Sequence, residues 1–256
     1  MRRTRGTEVP VKEGVRRVEG DCRIDGVPAT GAEVVLDYAQ SVGATTDRLL
    51  PTGRERDEVF VRELACTVPV SVVDVANACA FFPADVLGWR GTEGPTEVSQ
   101  EHLRAADAIK REVAQLLGLR PDGLVPIPVA VAPPAEYRTL QGQWVGEGEV
   151  DLLVRLLGGR PASLHKAFAA TAAAATAVAS RIPGTVACEA ARPRAEDQVV
   201  LGHPSGTFPV RVKVSGGPGA WRVERASYSR TARRLMEGYA FVRARVWAPA
   251  RDTVNP

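Results

Sequence analysis

The segment that decides the fold is His165–Ile182, HKAFAATAAAATAVASRI, in which alanine and other apolar residues occupy most positions. A surface helix carries its apolar residues on one stripe, whereas a helix that is apolar on all sides is normally buried. Because alanine side chains are short, neighbouring strands can approach the axis of such a helix closely. Pro183-Gly184 then ends the helical pattern. The segment therefore predicts a central helix enclosed by a curled sheet.

Most of the remaining chain alternates between short apolar runs and turns, a pattern that predicts strands. Two prolines in the run 124–133 indicate an edge or bulged strand there. The polar, glycine-rich stretch 136–148 predicts a surface loop. The predicted strands are 9–11 and 15–18 (a hairpin about Lys12-Glu13-Gly14), 34–38, 67–76, 124–133, 150–157, the vicinity of 199, 210–214, 221–223 and 241–247. The pattern of 150–157 favours a strand but also fits a helix.

Two further helices are predicted on either side of the central one. In 99–117, apolar residues recur at helical spacing between Ser99, a favourable N-cap residue, and Gly118 at the expected C′ position. A short amphipathic helix is predicted over 232–239, where Leu235 and Met236 would share an apolar face. Many strands with two or three helices, one of them buried, place the chain in the α+β class.

Composition excludes several classes of protein. The chain has 256 residues, of which 45% are hydrophobic, enough for one large or two small domains with a real core. Its 33 basic and 30 acidic residues leave a net charge of +3, which is no signature of a nucleic-acid partner. No run approaches the ~18–20 apolar residues of a membrane span, so no membrane partner is expected.

Cysteine and histidine usage predicts neither a metal site nor a disulfide framework. The cysteines are widely scattered and no C-x-x-C pair occurs. The basic start at residues 1–5 is not followed by the apolar segment of a signal peptide, so we expect free thiols and a cytoplasmic location. The four cysteines are Cys22, Cys66, Cys79 and Cys188, and the three histidines are His102, His165 and His203.

Four motifs, in this order, resemble those of one known family. They are VDVANACAFF (73–82), RIPGTV (181–186), GHPSG (202–206) and RTARRLMEG (230–238). Together they resemble the 2-methylaconitate cis–trans isomerase, or PrpF-type, family, which includes methylitaconate and oxalomesaconate isomerases. The resemblance implies a diaminopimelate-epimerase-like fold, in which two similar lobes each curl a mainly antiparallel sheet around a central helix and the active site lies between them.

The resemblance covers nearly all of this chain but only about two-thirds of the family pattern. The glycine-rich opening segment and the first central helix of the family have no counterpart here. We therefore expect an N-terminally shortened member with one complete lobe and a remnant of the other. Residues 1–64 would close the truncated first lobe, 65–248 would form the second lobe with its central helix at about 165–182, and 249–256 would be a tail.

The activity implied by the resemblance is isomerisation without cofactor or metal. Family members move a proton next to an activated carboxylate of an unsaturated di- or tricarboxylate, such as an aconitate- or methylaconitate-like acid. That chemistry needs a base, an acid and donors that stabilise an enolate-like intermediate. The base is not identified by the sequence; Ser205 and Cys79 are the candidates, and Cys79 also fits a buried small hydrophobe.

The resemblance also implies a set of carboxylate-binding residues. Each of them has a purely structural alternative, as a turn, a cap or a solvated charge. Ala78 stands where the family usually has proline, and Thr171-Ala172-Ala173 stands where it has Thr-Gly-Ala. The expected binding residues are Thr52, Asn77, Lys166, Thr171, His203, Ser205, Gly206 and Arg230.

Three interpretations of the chain remain open from the sequence. The first is an isomerase whose cleft is completed in a homo-oligomer or by a partner chain, because half a cleft would expose an apolar face. The second is a catalytically inactive, truncated paralogue that acts as a binding or assembly protein. The third is that Met1 is not the true start and that the gene is longer. The first predicts turnover of an aconitate-like acid, whereas the second predicts at most weak binding.

Overall fold

The computed structural model describes residues 6–8, 11–12, 15–16, 18–159, 162–233 and 235–243. Its three α-helices are α1 (Gln100–Leu116), α2 (Ala170–Ala179) and α3 (Val186–Ala190). Its strands are β1 (Gly6–Glu8), β2 (Val11–Lys12), β3 (Val15–Arg16), β4 (Val34–Asp37), β5 (Asp57–Val61), β6 (Cys66–Val75), β7 (Asn77–Pro83), β8 (Ile127–Ala132), β9 (Tyr137–Arg138), β10 (Trp144–Val145), β11 (Leu152–Gly158), β12 (Ser163–Leu164), β13 (Gln198–His203), β14 (Gly206–Ser215) and β15 (Arg222–Arg230).

One large sheet dominates the molecule. Its strands follow the order β1-β4-β15-β14-β13-β11-β8-β7-β6-β5, and β12 pairs with β11 at one side. Neighbours are antiparallel except for the parallel pairs β7/β8 and β11/β13. The two remaining pairs, β2/β3 and β9/β10, are small separate hairpins. The predicted α+β class with a mainly antiparallel sheet is confirmed.

Helix α2 is the centre around which this sheet curls. Every residue from Ala172 to Ala179 is buried, and the helix contacts β6 and β7 on one side and β13, β14 and β15 on the other. Alanine at most of these positions lets strands come close on all sides, as the composition of the segment predicted. The inner core is built from α2 and the apolar side chains of these strands.

Helix α1 covers the opposite face of the sheet. The Ser99 hydroxyl accepts the His102 N–H at 3.2 Å, and His102 Nδ1 accepts the Ser99 N–H at 3.2 Å, which closes a capping box. Gly118 follows the helix at φ +67°, in the left-handed conformation that favours glycine. The predicted helix 99–117 is confirmed, and its apolar stripe packs on β5, β8 and β11.

Because α2 is enclosed by strands, a larger side chain in it will destabilise the protein. We expect Ala174→Leu, at a fully buried position, to lower the free energy of unfolding by about 2 kcal/mol, since added methylenes force neighbours off their rotamers. Gln115→Leu, on the exposed side of α1, is the matched control and should change it by less than about 0.5 kcal/mol. Urea unfolding followed by circular dichroism measures both, and equal effects would contradict a tightly packed α2.

Two predictions about strands and loops are corrected by the structure. Strand β8 is interior, between β7 and β11, although an edge or bulged strand was predicted for 124–133. Pro126 precedes the strand, and Pro128 pairs with Ala80 of β7 but lies beyond the β11 register, which begins at Val129. The backbone N–H groups that these two prolines lack are therefore not needed for the hydrogen bonds between β8 and its neighbouring strands. The predicted surface loop 136–148 contains the β9/β10 hairpin, with Tyr137 buried.

The helix predicted over 232–239 does not form. Residues 231–233 and 235–243 have neither helical nor strand structure, and Leu235, Met236 and Tyr239 are 79%, 87% and 99% exposed. Short helices are stabilised mainly by packing an apolar face, and most of the surface of Leu235, Met236 and Tyr239 faces solvent instead. The strand predicted over 241–247 is also not formed at 241–243, and its remaining positions lie outside the described residues.

The boundaries of the central helix also differ from the prediction. Helix α2 begins at Ala170, five residues after His165, because the preceding residues make other contacts. The His165 N–H continues the pairing with β11 by donating to the Leu156 carbonyl, and the Lys166 carbonyl accepts from Ser205. The four cysteines are free. Among the described residues no helix is long and apolar enough to cross a membrane.

Candidate functional site

A cavity of about 280 Å³ opens where the GHPSG motif meets the entry to α2. Its walls come from three places: the loop 23–27, the residues just before α2, and the strands β13, β14 and β15 near the motif. The lining residues are Arg23, Ile24, Asp25, Val27, Ala167, Phe168, His203, Thr207, Phe208, Pro209, Ser229 and Arg230. Three regions that were predicted to bind a carboxylate therefore contribute to one cavity: the GHPSG motif, the entry to α2 and Arg230.

The GHPSG motif forms the tight turn between β13 and β14. His203 and Gly206 are paired across it, with Pro204 and Ser205 at its tip. Gly206 has φ +134°, and a Cβ atom there would lie 2.5 Å from Asp25 Oδ2. The same Oδ2 accepts hydrogen bonds from the Thr207 N–H at 2.7 Å and its hydroxyl at 2.9 Å. Glycine is required at this position because a carboxylate lies directly against the backbone.

His203 is a buried, neutral histidine. Only 2% of it is exposed. Burial, the larger cause, and the positive charge of Arg155, the next, lower the pKa of its imidazole from 6.5 to about 4. Its Nδ1 accepts the Ser205 N–H at 3.2 Å. In a neutral imidazole the other nitrogen then carries the proton, so Nε2 is a hydrogen-bond donor. At neutral pH the ring is suited to donate a hydrogen bond rather than to take up a proton.

The buried state of His203 predicts acid sensitivity. The unfolded protein binds a proton at this residue below pH 6.5, whereas the folded protein stays neutral down to about pH 4. The unfolded state binds more protons in this window, so the free energy of unfolding falls as the pH decreases. We expect the contribution of His203 to fall by about 2 kcal/mol between pH 7 and pH 5. Urea unfolding at both pH values should show a smaller loss in His203→Gln; an equal loss would contradict the assignment.

Ser205 ties the turn to the entry of α2. Its hydroxyl donates to the Lys166 carbonyl at 2.6 Å, and the residue is only 8% exposed. Its N–H is taken by His203, so neither group is presented to the cavity. The side chain of Lys166 is exposed, and its contribution here is the carbonyl. Ser205 therefore positions this region.

The N-terminus of α2 lies next to this contact. Its N-cap residue, Ala169, has no side-chain cap, and the first helical N–H groups have no partner within the helix. Asn77, at the start of β7, donates its amide to the Thr171 hydroxyl at 2.9 Å. Asn77 and Thr171 therefore meet at the positive end of the helix dipole, which favours an anion.

Arg230 supplies a positive charge to the cavity. Its guanidinium lies over the rings of Phe208 at 4.3 Å and Tyr228 at 4.5 Å, and one N–H donates to the Ser229 carbonyl at 2.9 Å. Burial lowers the pKa of the group, yet an arginine stays charged at neutral pH. Among the described residues, no carboxylate forms a salt bridge with Arg230. The other N–H groups of its guanidinium are therefore free to hold a carboxylate of a ligand.

Two of the predicted residues lie away from the cavity. Thr52 lines a separate space of about 420 Å³ with Arg48 and Arg54, and its hydroxyl is engaged within its own turn. Cys79 is fully buried in β7, and burial together with Asp74 raises the pKa of its thiol well above the usual range. That environment keeps the thiol protonated, which does not favour a role as base.

Sequence reasoning missed several residues of the site. Asp25, Thr207 and Phe208 were not among the predicted site residues. Arg155, buried beneath the motif, carries no local signal other than a charge inside an apolar strand. That signal, Arg within LLVRLLG, could have marked it. Among the described residues no group of His, Cys, Asp and Glu side chains could hold a metal ion.

Comparison with known proteins assigns the chain to a family. A family model described as PrpF protein matches residues 2–243. The chain belongs to the PrpF family. The matched range includes the turn and helix that shape the cavity.

Individual relatives agree with the assignment of the chain to the PrpF family. The chain is 37% identical over 247 residues to the 3-methylitaconate isomerase of Eubacterium barkeri, covering 92% of this chain and 63% of the relative. It is 32% identical over 249 residues to the 2-methyl-aconitate isomerase of Shewanella oneidensis, covering 91% and 61%. The chain thus spans less than two-thirds of the length of these relatives.

A solved structure confirms the fold. The crystal structure of a methylitaconate-delta-isomerase matches with a TM-score of 0.84 and 35% sequence identity, covering 98% of this chain and 66% of that chain. The predicted sheet curled around a buried helix is the architecture shared by this PrpF-family chain and that enzyme.

Proposed function

We propose that this chain forms the carboxylate-binding half of the active site of a cofactor-independent isomerase. Its substrate would be an unsaturated di- or tricarboxylate such as an aconitate- or methylaconitate-like acid, changed by cis–trans isomerisation or a double-bond shift through proton transfer. The names of the relatives support this class, since methylitaconate and methylaconitate are unsaturated acids with two and three carboxylates.

The observation that carries the proposal is the position of Arg230 in the cavity. The guanidinium, which has no carboxylate partner among the described residues, is stacked on two aromatic rings and is held in place before any ligand binds. A bidentate hydrogen bond to a carboxylate is the interaction for which such a fork is suited. The nearby N-terminus of α2 adds backbone donors and a favourable dipole for a second carboxylate. Two anion-attracting features at one site match a ligand with more than one carboxylate.

The described residues supply binding and electrostatic stabilisation in this mechanism. Removing a proton next to a carboxylate produces an enolate-like charge, which donors such as the α2 amides would stabilise. The base is left unassigned, because the Ser205 hydroxyl is committed to the Lys166 carbonyl and the Cys79 thiol is buried. A homo-oligomer or a partner chain that completes the cleft would supply it. The division of the chain near residue 64 and a cytoplasmic location stay predictions.

The test is proton–deuterium exchange. Purified protein in D₂O is incubated with trans-aconitate, 2-methylaconitate, itaconate and mesaconate, and the ligand protons are followed by NMR. We expect exchange or isomerisation of at least one acid, reduced at least about tenfold by Ser205→Ala, which releases the turn from α2. Ser163→Ala, at an exposed serine of β12, is the matched control and should leave the rate unchanged. No exchange from folded protein, in any oligomeric state, would refute the isomerase.

A second candidate function is binding without turnover. The commitment of Ser205 and the burial of Cys79 favour it, because both candidate bases are unavailable in the described part of the chain. A binding or assembly protein of this kind would show heat of binding for trans-aconitate in titration calorimetry while causing no exchange. The pair of measurements therefore separates the two functions.

A further inference from the structure

Arg155 is a buried cation that the proposed mechanism does not use. It lies in β11, none of it is exposed, and it is the largest fully buried side chain of the described residues. Its hydrogen bonds go to backbone carbonyls: Nε donates to Glu93 O at 2.6 Å, and one terminal nitrogen donates to Val154 O at 2.9 Å and Gly202 O at 3.3 Å. The other terminal nitrogen has no hydrogen-bond partner within the described part of the chain.

Among the described residues, no carboxylate forms a salt bridge with this guanidinium. The carboxylates whose charge acts on it are those of Glu93 and Glu97, and both accept hydrogen bonds from backbone N–H groups of their own loop. Burial lowers the pKa of Arg155 to about 10, so the group remains a cation at neutral pH. A buried charge without an ion-pair partner is costly, and groups with perturbed pKa values of this kind cluster at functional sites.

The guanidinium is linked to both ends of the GHPSG turn. At the first end it donates to the Gly202 carbonyl. At the other end it acts through Tyr137, whose ring lies 5.5 Å from the guanidinium carbon and whose hydroxyl donates to the Gly206 carbonyl at 2.5 Å. The turn is therefore held at its two glycines by one buried group and its aromatic neighbour.

The charge of Arg155 also acts on the middle of the turn. His203 Nδ1 can accept the Ser205 N–H only while that nitrogen is unprotonated. The charged groups that face the imidazole are Arg155 and Arg230, which oppose protonation, and Asp25, which favours it. Burial and the Thr207 backbone also act on the ring, the first against protonation and the second in its favour. Arg155 is the strongest of the charges.

We propose that Arg155 is a positioning residue of the carboxylate site, whose buried guanidinium holds the Gly202–Gly206 turn and keeps His203 in the neutral form that binds the Ser205 N–H. The role of this turn in binding a carboxylate ligand rests on the proposed function. The state of His203 and the Ser205 N–H can be measured without any substrate, so the two proposals fail independently.

The first experiment follows these two groups by NMR in the wild type, Arg155→Met and Arg155→Lys. In the wild type, His203 should not titrate above pH 5 and the Ser205 amide should exchange slowly. In Arg155→Met the titration of His203 should move upward by about one unit, and the Ser205 amide should lose protection below that pH. Arg155→Lys keeps the charge and should keep His203 neutral. An unchanged titration and amide in Arg155→Met would overturn the proposal.

Arg181→Met is the matched control, because Arg181 also donates to backbone carbonyls, those of Ala195 and Gln198. It should leave the His203 titration unchanged, and an equal shift in both variants would also overturn the proposal. If Arg155→Met fails to fold, the wild type still decides, since a His203 titration near pH 6.5 would contradict the assignment. Tyr137→Phe, which removes only the Gly206 contact, should speed amide exchange at the turn while His203 stays neutral.

A final arm connects the turn to binding. Titration calorimetry with trans-aconitate should show a dissociation constant about tenfold higher for Arg155→Met than for the wild type. If the wild type does not bind the acid while the NMR results hold, the proposed function fails and the positioning role of Arg155 stands. An unchanged dissociation constant in a variant with a shifted His203 would overturn the link between the turn and the ligand.

Discussion

Arg230→Ala will raise the dissociation constant of the protein for trans-aconitate by about 100-fold, the largest loss of binding that we expect from a single substitution. The guanidinium lies in the cavity, stacked on Phe208 and Tyr228, and has no carboxylate partner among the described residues. A ligand carboxylate would form its two charge-assisted hydrogen bonds there, partly shielded from water. Removing the side chain deletes both bonds.

Two further variants test whether the fork or only the charge matters. Arg230→Lys keeps the charge but loses the planar fork and the stacking, so we expect a loss of about tenfold. Arg222→Ala, at an exposed arginine of the same strand, is the matched control and should change the dissociation constant by less than about twofold. Titration calorimetry measures all three. If Arg230→Ala and Arg222→Ala bind equally well, Arg230 does not hold the ligand.

Gly206→Ala will lower the free energy of unfolding by about 4 kcal/mol, the largest loss of stability that we expect. Two costs add at this position. The backbone at φ +134° is one that L-residues rarely adopt, and the new methyl would lie 2.5 Å from Asp25 Oδ2. Moving Asp25 away would break its two hydrogen bonds to Thr207. Urea unfolding at pH 7 measures the loss.

The two costs can be separated experimentally. Asp25→Gly removes the whole side chain, including the Cβ atom that would lie 2.6 Å from the new methyl. In Gly206→Ala combined with Asp25→Gly the clash is absent, so any stability lost relative to Asp25→Gly alone reports the backbone conformation. Gly217→Ala is the control, because nothing lies within 4 Å of its Cβ position and its φ is ordinary; it should change stability by less than about 0.5 kcal/mol. A Gly206→Ala protein as stable as this control would contradict the close approach of Asp25.

The fold was predictable from the sequence where one local pattern decided burial. An alanine-rich helix has no polar side that could face water, so a surrounding sheet follows from composition alone. Helix α1 was likewise predictable, because its N-cap, its apolar spacing and Gly118 are all local signals. The prediction failed where a neighbour decides the outcome. The interior place of β8 depends on the strands paired beside Pro128, and a helix at 232–239 needs a surface on which to pack.

The candidate site was predictable in part. The motif residues His203, Ser205 and Gly206 lie at one place, and Arg230 and the start of α2 are beside them. Their roles were not predictable, because Ser205 gives both its hydrogen-bonding groups to the protein and His203 is neutral. Thr52 was expected with the others from the family resemblance, and it lies in a different cavity.

By itself, the sequence determined that a helix without a polar face must be enclosed by strands, and its motifs identified the family. Only the tertiary structure decided which polar groups share a space and what charge they carry. Arg155 and Gly202 are 47 residues apart, and they meet because β11 pairs with β13. Hydrogen bonding and pKa depend on distance and burial, and strand pairing between remote segments sets both.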